Sequence, residues 1–175
     1  MNGMVFGFAF GLMIAAVVCV LIFKFANKDG KVKSEYDERQ KTVRGKAYMI
    51  SFYAEVFAQT ALMMFFMSGI ELPVENYVLV FAAIILGCTV LAVYCIWNDV
   101  YWGLNNDHKK YHIVFVIALI INAFPLIGAY RGGSLKMGGK YGLPMLNLIV
   151  IAMMAVVYAT LLIKKVKDKE TAGED

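Results

Sequence analysis

Charge is scarce in this chain of 175 residues: Asp, Glu, Lys and Arg make up only 17% of it, while 61% is hydrophobic. An ordinary globular domain is roughly 45–50% apolar and about 25% charged. A single core of this size needs more polar surface than is present, which excludes a soluble globular domain. Cysteine is equally sparse. Cys19, Cys88 and Cys95 all fall inside apolar runs, with no Cys-x-x-Cys spacing and no histidine nearby. That excludes zinc and redox motifs and leaves three small buried hydrophobes. The only histidines, His108 and His112, have the spacing of two ligands on one helix face, but Lys109 and Lys110 lie between them in a loop-like setting, with no acid to complete a site. No metal or cofactor is therefore expected. The formal charge of +4 comes from basic residues beside hydrophobic segments, not among aromatics as a base-stacking surface requires, so nucleic acid is not an expected partner.

What the chain has in abundance is apolar runs near the ~20 residues that cross a bilayer. Five are present, at about residues 4–23, 49–70, 77–97, 113–130 and 143–163. The expectation is an all-α integral membrane helical bundle of five transmembrane helices. The first run lacks a positive leading region and a small-residue cleavage site, so it is expected to be retained as a span. Fourteen of the 17 Lys and Arg residues lie in segments 24–48, 98–112 and the tail 164–175, whereas Arg131, Lys136 and Lys140 lie in the alternate loop. Positive loops stay in the cytoplasm, which predicts an outside amino terminus and an inside carboxyl terminus. No inverted repeat of the transporter kind is evident.

The longest polar stretch, 24–48, reads as a charged cytoplasmic loop containing a helix. Ser34 and Asp37 have capping-box spacing. Acids at Glu35, Asp37 and Glu38 precede bases at Lys41, Arg44 and Lys46, as the helix dipole prefers. Glu35/Arg39 and Asp37/Lys41 are candidate i,i+4 pairs, and the helix is able to continue into the second span despite Gly45. This segment is either a docking surface for anionic lipid headgroups or a cytoplasmic protein, or a solvated topology signal paired with itself. Tyr36-Asp37-Glu38-Arg39-Gln40 followed by Arg44-Gly45-Lys46-Ala47-Tyr48, together with Cys95-Ile96-Trp97-Asn98-Asp99-Val100-Tyr101-Trp102, resembles a group of uncharacterised small bacterial polytopic membrane proteins. The resemblance implies a bacterial inner membrane and no particular activity.

Within the spans, Tyr48, Ser51, Glu55 and Gln59 fall on one face of the second helix. An ionisable group at that depth is costly and usually faces a bundle interior or cavity. Asn122, Tyr94 and Tyr158 lie at depths from which they are able to converge on Glu55. This cluster is either interhelical glue or a site for a proton, a cation or a small amphiphile. Trp97, Asn98, Asp99, Tyr101 and Trp102 read as an interfacial aromatic belt with a loop-starting acid. The glycine-rich segment Arg131–Gly142 fails the phosphate-loop pattern and reads as a flexible basic connector. No nucleophile with its base, paired carboxylates or metal set is found. The function expected is therefore a non-enzymatic accessory, regulatory or immunity-type membrane protein acting on lipid, on a membrane or cytoplasmic protein, or on a second copy of itself. The alternative is a small transporter or channel subunit centred on Glu55.

Overall fold

The computed structural model describes residues 2–171; the last four residues of the predicted tail, 172–175, lie outside it. Five helices account for most of this chain: α1 (Asn2–Ala26), α2 (Glu38–Met67), α3 (Asn76–Trp97), α4 (His108–Arg131) and α5 (Pro144–Thr171). Between α4 and α5 lies a short antiparallel hairpin, β1 (Lys136–Met137) and β2 (Lys140–Tyr141). The helices α2 to α5 are each long and apolar enough to cross a membrane, as expected of a multi-pass protein. Each is largely bare of protein cover, with 6–22% of its most apolar window buried. Of the cysteines, Cys95 is buried, but Cys19 and Cys88 are exposed, against expectation. In a helix without protein around it, an apolar stretch predicts lipid contact as readily as core.

Two compact units are present: the chain up to Asp37 with Trp102–Val116, and Glu38–Tyr101 with the chain from Ile117 onward. In the second unit α3 packs against both α2 and α5. α2 has 30 residues and α5 has 28, against 22 in α3. At ~1.5 Å per residue the two flanking helices are about 42–45 Å long and α3 about 33 Å, close to one bilayer core. α2 continues unbroken through Gly45, as expected, and begins eleven residues before the predicted second span. Both flanking helices overshoot the end of α3, where Ala47, Cys95 and Val100 form a buried cluster with Val43, Leu91, Tyr94 and Tyr101 packed on it.

α2 starts at Glu38, not at the predicted capping box. The N-cap position is Asp37, so Ser34 is three residues too early to cap it, and its hydroxyl accepts from Asn106 instead. The expected Glu35/Arg39 and Asp37/Lys41 pairs are replaced by Lys31–Glu35 at 3.0 Å and Lys41–Glu38 at 2.7 Å, because residues before Glu38 are not helical.

Candidate functional site

The best-satisfied polar region lies in the first unit, where residues 27–37 meet residues 103–107. Asn27 and Asn106 are 1% and 3% exposed. The Asn106 amide donates to Asn27 Oδ1 at 2.7 Å and to Ser34 Oγ at 3.0 Å, while its Oδ1 accepts from Gly103 N–H at 2.7 Å. Asn27 donates onward to the Lys31 carbonyl at 2.8 Å. Asn105 accepts from Glu35 N–H at 2.9 Å and donates to the Asp29 carboxylate and the Lys33 carbonyl. Backbone bonds reinforce the seam: Lys28 N–H to Asn105 O, Leu104 N–H to Glu35 O, and Asp107 N–H to Ala26 O. Gly103 is required here, since a Cβ would lie 2.9 Å from the Glu35 carbonyl oxygen. Donation from the Lys31 backbone N–H is the main influence holding the Asp29 carboxyl below its ordinary value, assisted by the Asn105 amide and the Lys31 charge. The hydrogen bond from Lys31 to Glu35 raises the lysine in turn. No buried side-chain polar atom lacks a partner among the described residues.

Beside this seam, Trp102 stacks on His108 at 4.6 Å and meets Tyr111 and His112 edge-on at 5.4 and 6.3 Å. Asp107 caps α4, accepting from Lys109 and Lys110 N–H at 3.0 and 3.4 Å. Lys110 lies over the Phe25 ring at 5.4 Å. Among the described residues no group of three or more His, Cys, Asp or Glu side chains is arranged to hold a metal.

In the second unit, the sequence-predicted belt residues Trp97, Asn98, Asp99 and Tyr101 meet basic residues at the end of α3, while Trp102 belongs to the first unit. Asp99 N–H bonds Ile96 O and Val100 N–H bonds Cys95 O, the pattern of a left-handed helix stop, with Asp99 at φ 58°. Arg44 donates to the Val100 carbonyl at 3.0 Å and to the Tyr48 hydroxyl at 3.1 Å; Arg39 reaches the Asn98 carbonyl at 3.4 Å. From α5, Lys164 bridges Asp99 and Asp168 at 3.2 and 2.9 Å, and Lys167 lies 5.5 Å over the Trp97 ring. Arg39, expected to pair with Glu35, and Arg44, one of the expected helix bases, thus satisfy carbonyls at the negative end of α3. Lys41 pairs with Glu38, while Lys46 is exposed.

The predicted intramembrane cluster is only partly assembled. Ser51, Glu55 and Gln59 do share the α2 face toward α3. A Cβ on Gly87 would lie 3.1 Å from Glu55 Cβ, 3.2 Å from its Oε2 and 3.4 Å from Ser51 O, and Gln59 reaches Val80 O at 3.4 Å. Ser51 itself donates to Tyr48 O at 2.9 Å. Tyr48 is turned outward, 52% exposed. Asn122 bonds Ala118 O on its own helix at 2.8 Å, Tyr94 packs on the Ala47–Cys95–Val100 cluster, and Tyr158 is 40% exposed. Among the described residues no hydrogen bond or ion pair reaches the Glu55 carboxylate from any of them.

The segment expected to be a flexible connector holds the β1–β2 hairpin. Gly138 and Gly139 both take positive φ, 60° and 86°, the requirement of a tight hairpin turn. Tyr141 N–H donates to Pro73 O and Glu75 N–H to Tyr141 O, so the hairpin docks on the α2–α3 turn, with Lys140 beside Glu71 at 3.5 Å. Comparison with family models, curated proteins and solved structures finds no match.

Proposed function

We propose that the protein is a five-span bacterial inner-membrane protein of the non-enzymatic accessory, regulatory or immunity type, with its amino terminus outside, acting through contacts at its cytoplasmic side. The observation supporting this reading is the asparagine seam. Its polar side chains are fully engaged in fixing two loops, and Lys24, Lys28, Lys33 and Lys109 stand exposed around them without an ion pair among the described residues. A fixed frame carrying unpaired cations suits a contact with acidic side chains or anionic headgroups, each basic residue near an anionic leaflet contributing about 1 kcal/mol. It moves the candidate contact away from Lys41 and Arg44, whose charges are engaged. Membership of the group of small bacterial membrane proteins resembled at Tyr36–Gln40, Arg44–Tyr48 and Cys95–Trp102 belongs to the same proposal.

The test is replacement of Lys28, Lys33 and Lys109 together by Gln, in full-length protein. Retention of anionic over zwitterionic phospholipid after purification, or a discrete adduct from a photocrosslinking side chain at the neighbouring exposed position 32, is expected to fall with little change in melting temperature. Equal lipid retention and no discrete adduct in the unsubstituted protein defeat the proposal. The small transporter or channel reading has its own support in the Glu55 carboxylate, which lies in the α2–α3 seam without a counter-ion among the described residues. Ion or proton flux in reconstituted vesicles tests it.

A further inference from the structure

We infer that Glu55 is a proton-binding site in the membrane interior, formed where Gly87 opens the face of α3 to the carboxyl group. The inference deepens the transport reading, but a carboxyl group can bind a proton here whether or not flux occurs.

Three observations place the site. Glu55 is half-buried on a helix long and apolar enough to span a bilayer. No cation stands near along the chain: Lys46, the nearest basic residue on α2, is about 13–14 Å away along the axis at ~1.5 Å per residue. α3, the helix packed on this face, has no charged residue from Asn76 to Trp97; its titratable side chains are Tyr77, Cys88, Tyr94 and Cys95. The polar neighbours do not compensate either, since Ser51 donates to Tyr48 O and Gln59 to Val80 O. The alternative of a purely structural acid is disfavoured by the same facts: glue requires a hydrogen-bond partner across the seam, and what faces Glu55 is the Cα of a glycine. An ionised carboxylate in such surroundings has no counter-charge among the described residues, and in a bilayer interior it is costly. Proton uptake removes the charge without displacing any side chain.

A membrane-soluble carbodiimide tests this, because it reacts with a protonated carboxyl in apolar surroundings. The acid proton passes to one carbodiimide nitrogen as the carboxyl oxygen bonds the central carbon. An acyl shift from oxygen to nitrogen then gives a stable N-acylurea. Nothing leaves, so the protein gains the mass of one whole reagent. Full-length protein in phospholipid vesicles is treated with dicyclohexylcarbodiimide, then read by intact mass and peptide mapping. The expected result is one adduct, on Glu55. Glu55→Gln abolishes it. Gly87→Ala slows it several-fold, because the new Cβ occupies space 3.2 Å from Oε2. The unsubstituted protein suffices if a variant misfolds. No adduct on Glu55, or equal labelling of Glu71 and Glu75, overturns the inference. So does a well-folded Gly87→Ala protein with an unchanged rate. Vesicle flux is scored separately, so an adduct without flux defeats the transport reading alone.

Discussion

At the scale of single residues, Asp99 shows how two demands meet at one position. α4 ends with the same bonding pattern as α3, Gly133 N–H to Tyr130 O and Ser134 N–H to Ala129 O, with glycine in the left-handed position at φ 66°. α3 places an aspartate there, at a conformational cost of about 1–2 kcal/mol for a side chain with Cβ. The side chain gains Lys164, but an exposed ion pair contributes only ~0–1 kcal/mol, and Asp99 is 60% exposed. Backbone strain and ion pair nearly offset each other. Asp99→Gly is therefore expected to change stability by less than about 0.5 kcal/mol, whereas Asp99→Ala, which keeps the strain and loses the bridge, lowers it by about 1 kcal/mol; detergent melting curves separate the two. Gly103→Ala admits no such balance: with a Cβ 2.9 Å from Glu35 O, a loss of about 1–3 kcal/mol is expected. Asp29 adds a pH signature. Its folded-state pKa is lowered, chiefly by the Lys31 N–H, so its contribution is present above the ordinary carboxylate range and fades as pH falls through the lowered value. In acid titrations of stability, Asp29→Asn should flatten that part of the curve and leave neutral pH behaviour dominated by the remaining Asn105 contacts.

At the scale of elements, long periodic features were legible in the sequence and long-range pairings were not. The helices α2 to α5 follow the apolar runs because each run is continuous and long enough to specify its own structure. The face of α2 carrying Ser51, Glu55 and Gln59 was legible for the same reason: helical spacing alone puts these residues together. The asparagine seam was invisible, since Asn106 and Asn27 are 79 residues apart and nothing local distinguishes them from other polar loop residues. The engagement of Arg44 was likewise hidden, because a basic residue reads the same whether it faces water or a carbonyl oxygen. Two local signals were available but carried less weight than composition: Asp107 directly before His108 as a helix cap, and Gly138-Gly139 between flanking Lys-Met and Lys-Tyr as a hairpin turn. The hairpin makes a prediction of its own. Gly139→Val cannot hold a φ of 86° without strain, so β1 and β2 should separate. Hydrogen exchange at Tyr141 and Glu75, whose N–H groups bond across this junction, should quicken while exchange in mid-α3 stays unchanged.

At the scale of the whole molecule, the second unit already gathers its termini into two ends. One end joins the start of α2, the end of α3 and the basic stretch of α5 through Arg44–Val100 and Lys164–Asp99. The other joins the α2–α3 turn to the hairpin through Glu75–Tyr141 and Lys140–Glu71. Helices of suitable length connected alternately at two ends match the threading of a membrane protein. They do not say which end is inside. The proposed orientation rests on charge distribution: 14 of the 17 basic residues belong to segments on the first side of the proposed threading, and translocating them opposes the positive-inside preference far more than translocating Arg131, Lys136 and Lys140. Single cysteines at positions 136 and 41, in a background lacking Cys19, Cys88 and Cys95, provide the measurement. On intact cells a membrane-impermeant maleimide is expected to label position 136, and to reach position 41 only after permeabilisation. Both positions are exposed, so absence of label reports sidedness and not burial. Label at 41 with none at 136 inverts the proposed orientation, which would put the lysines around the asparagine seam outside the cell and remove the cytoplasmic contact proposed for them.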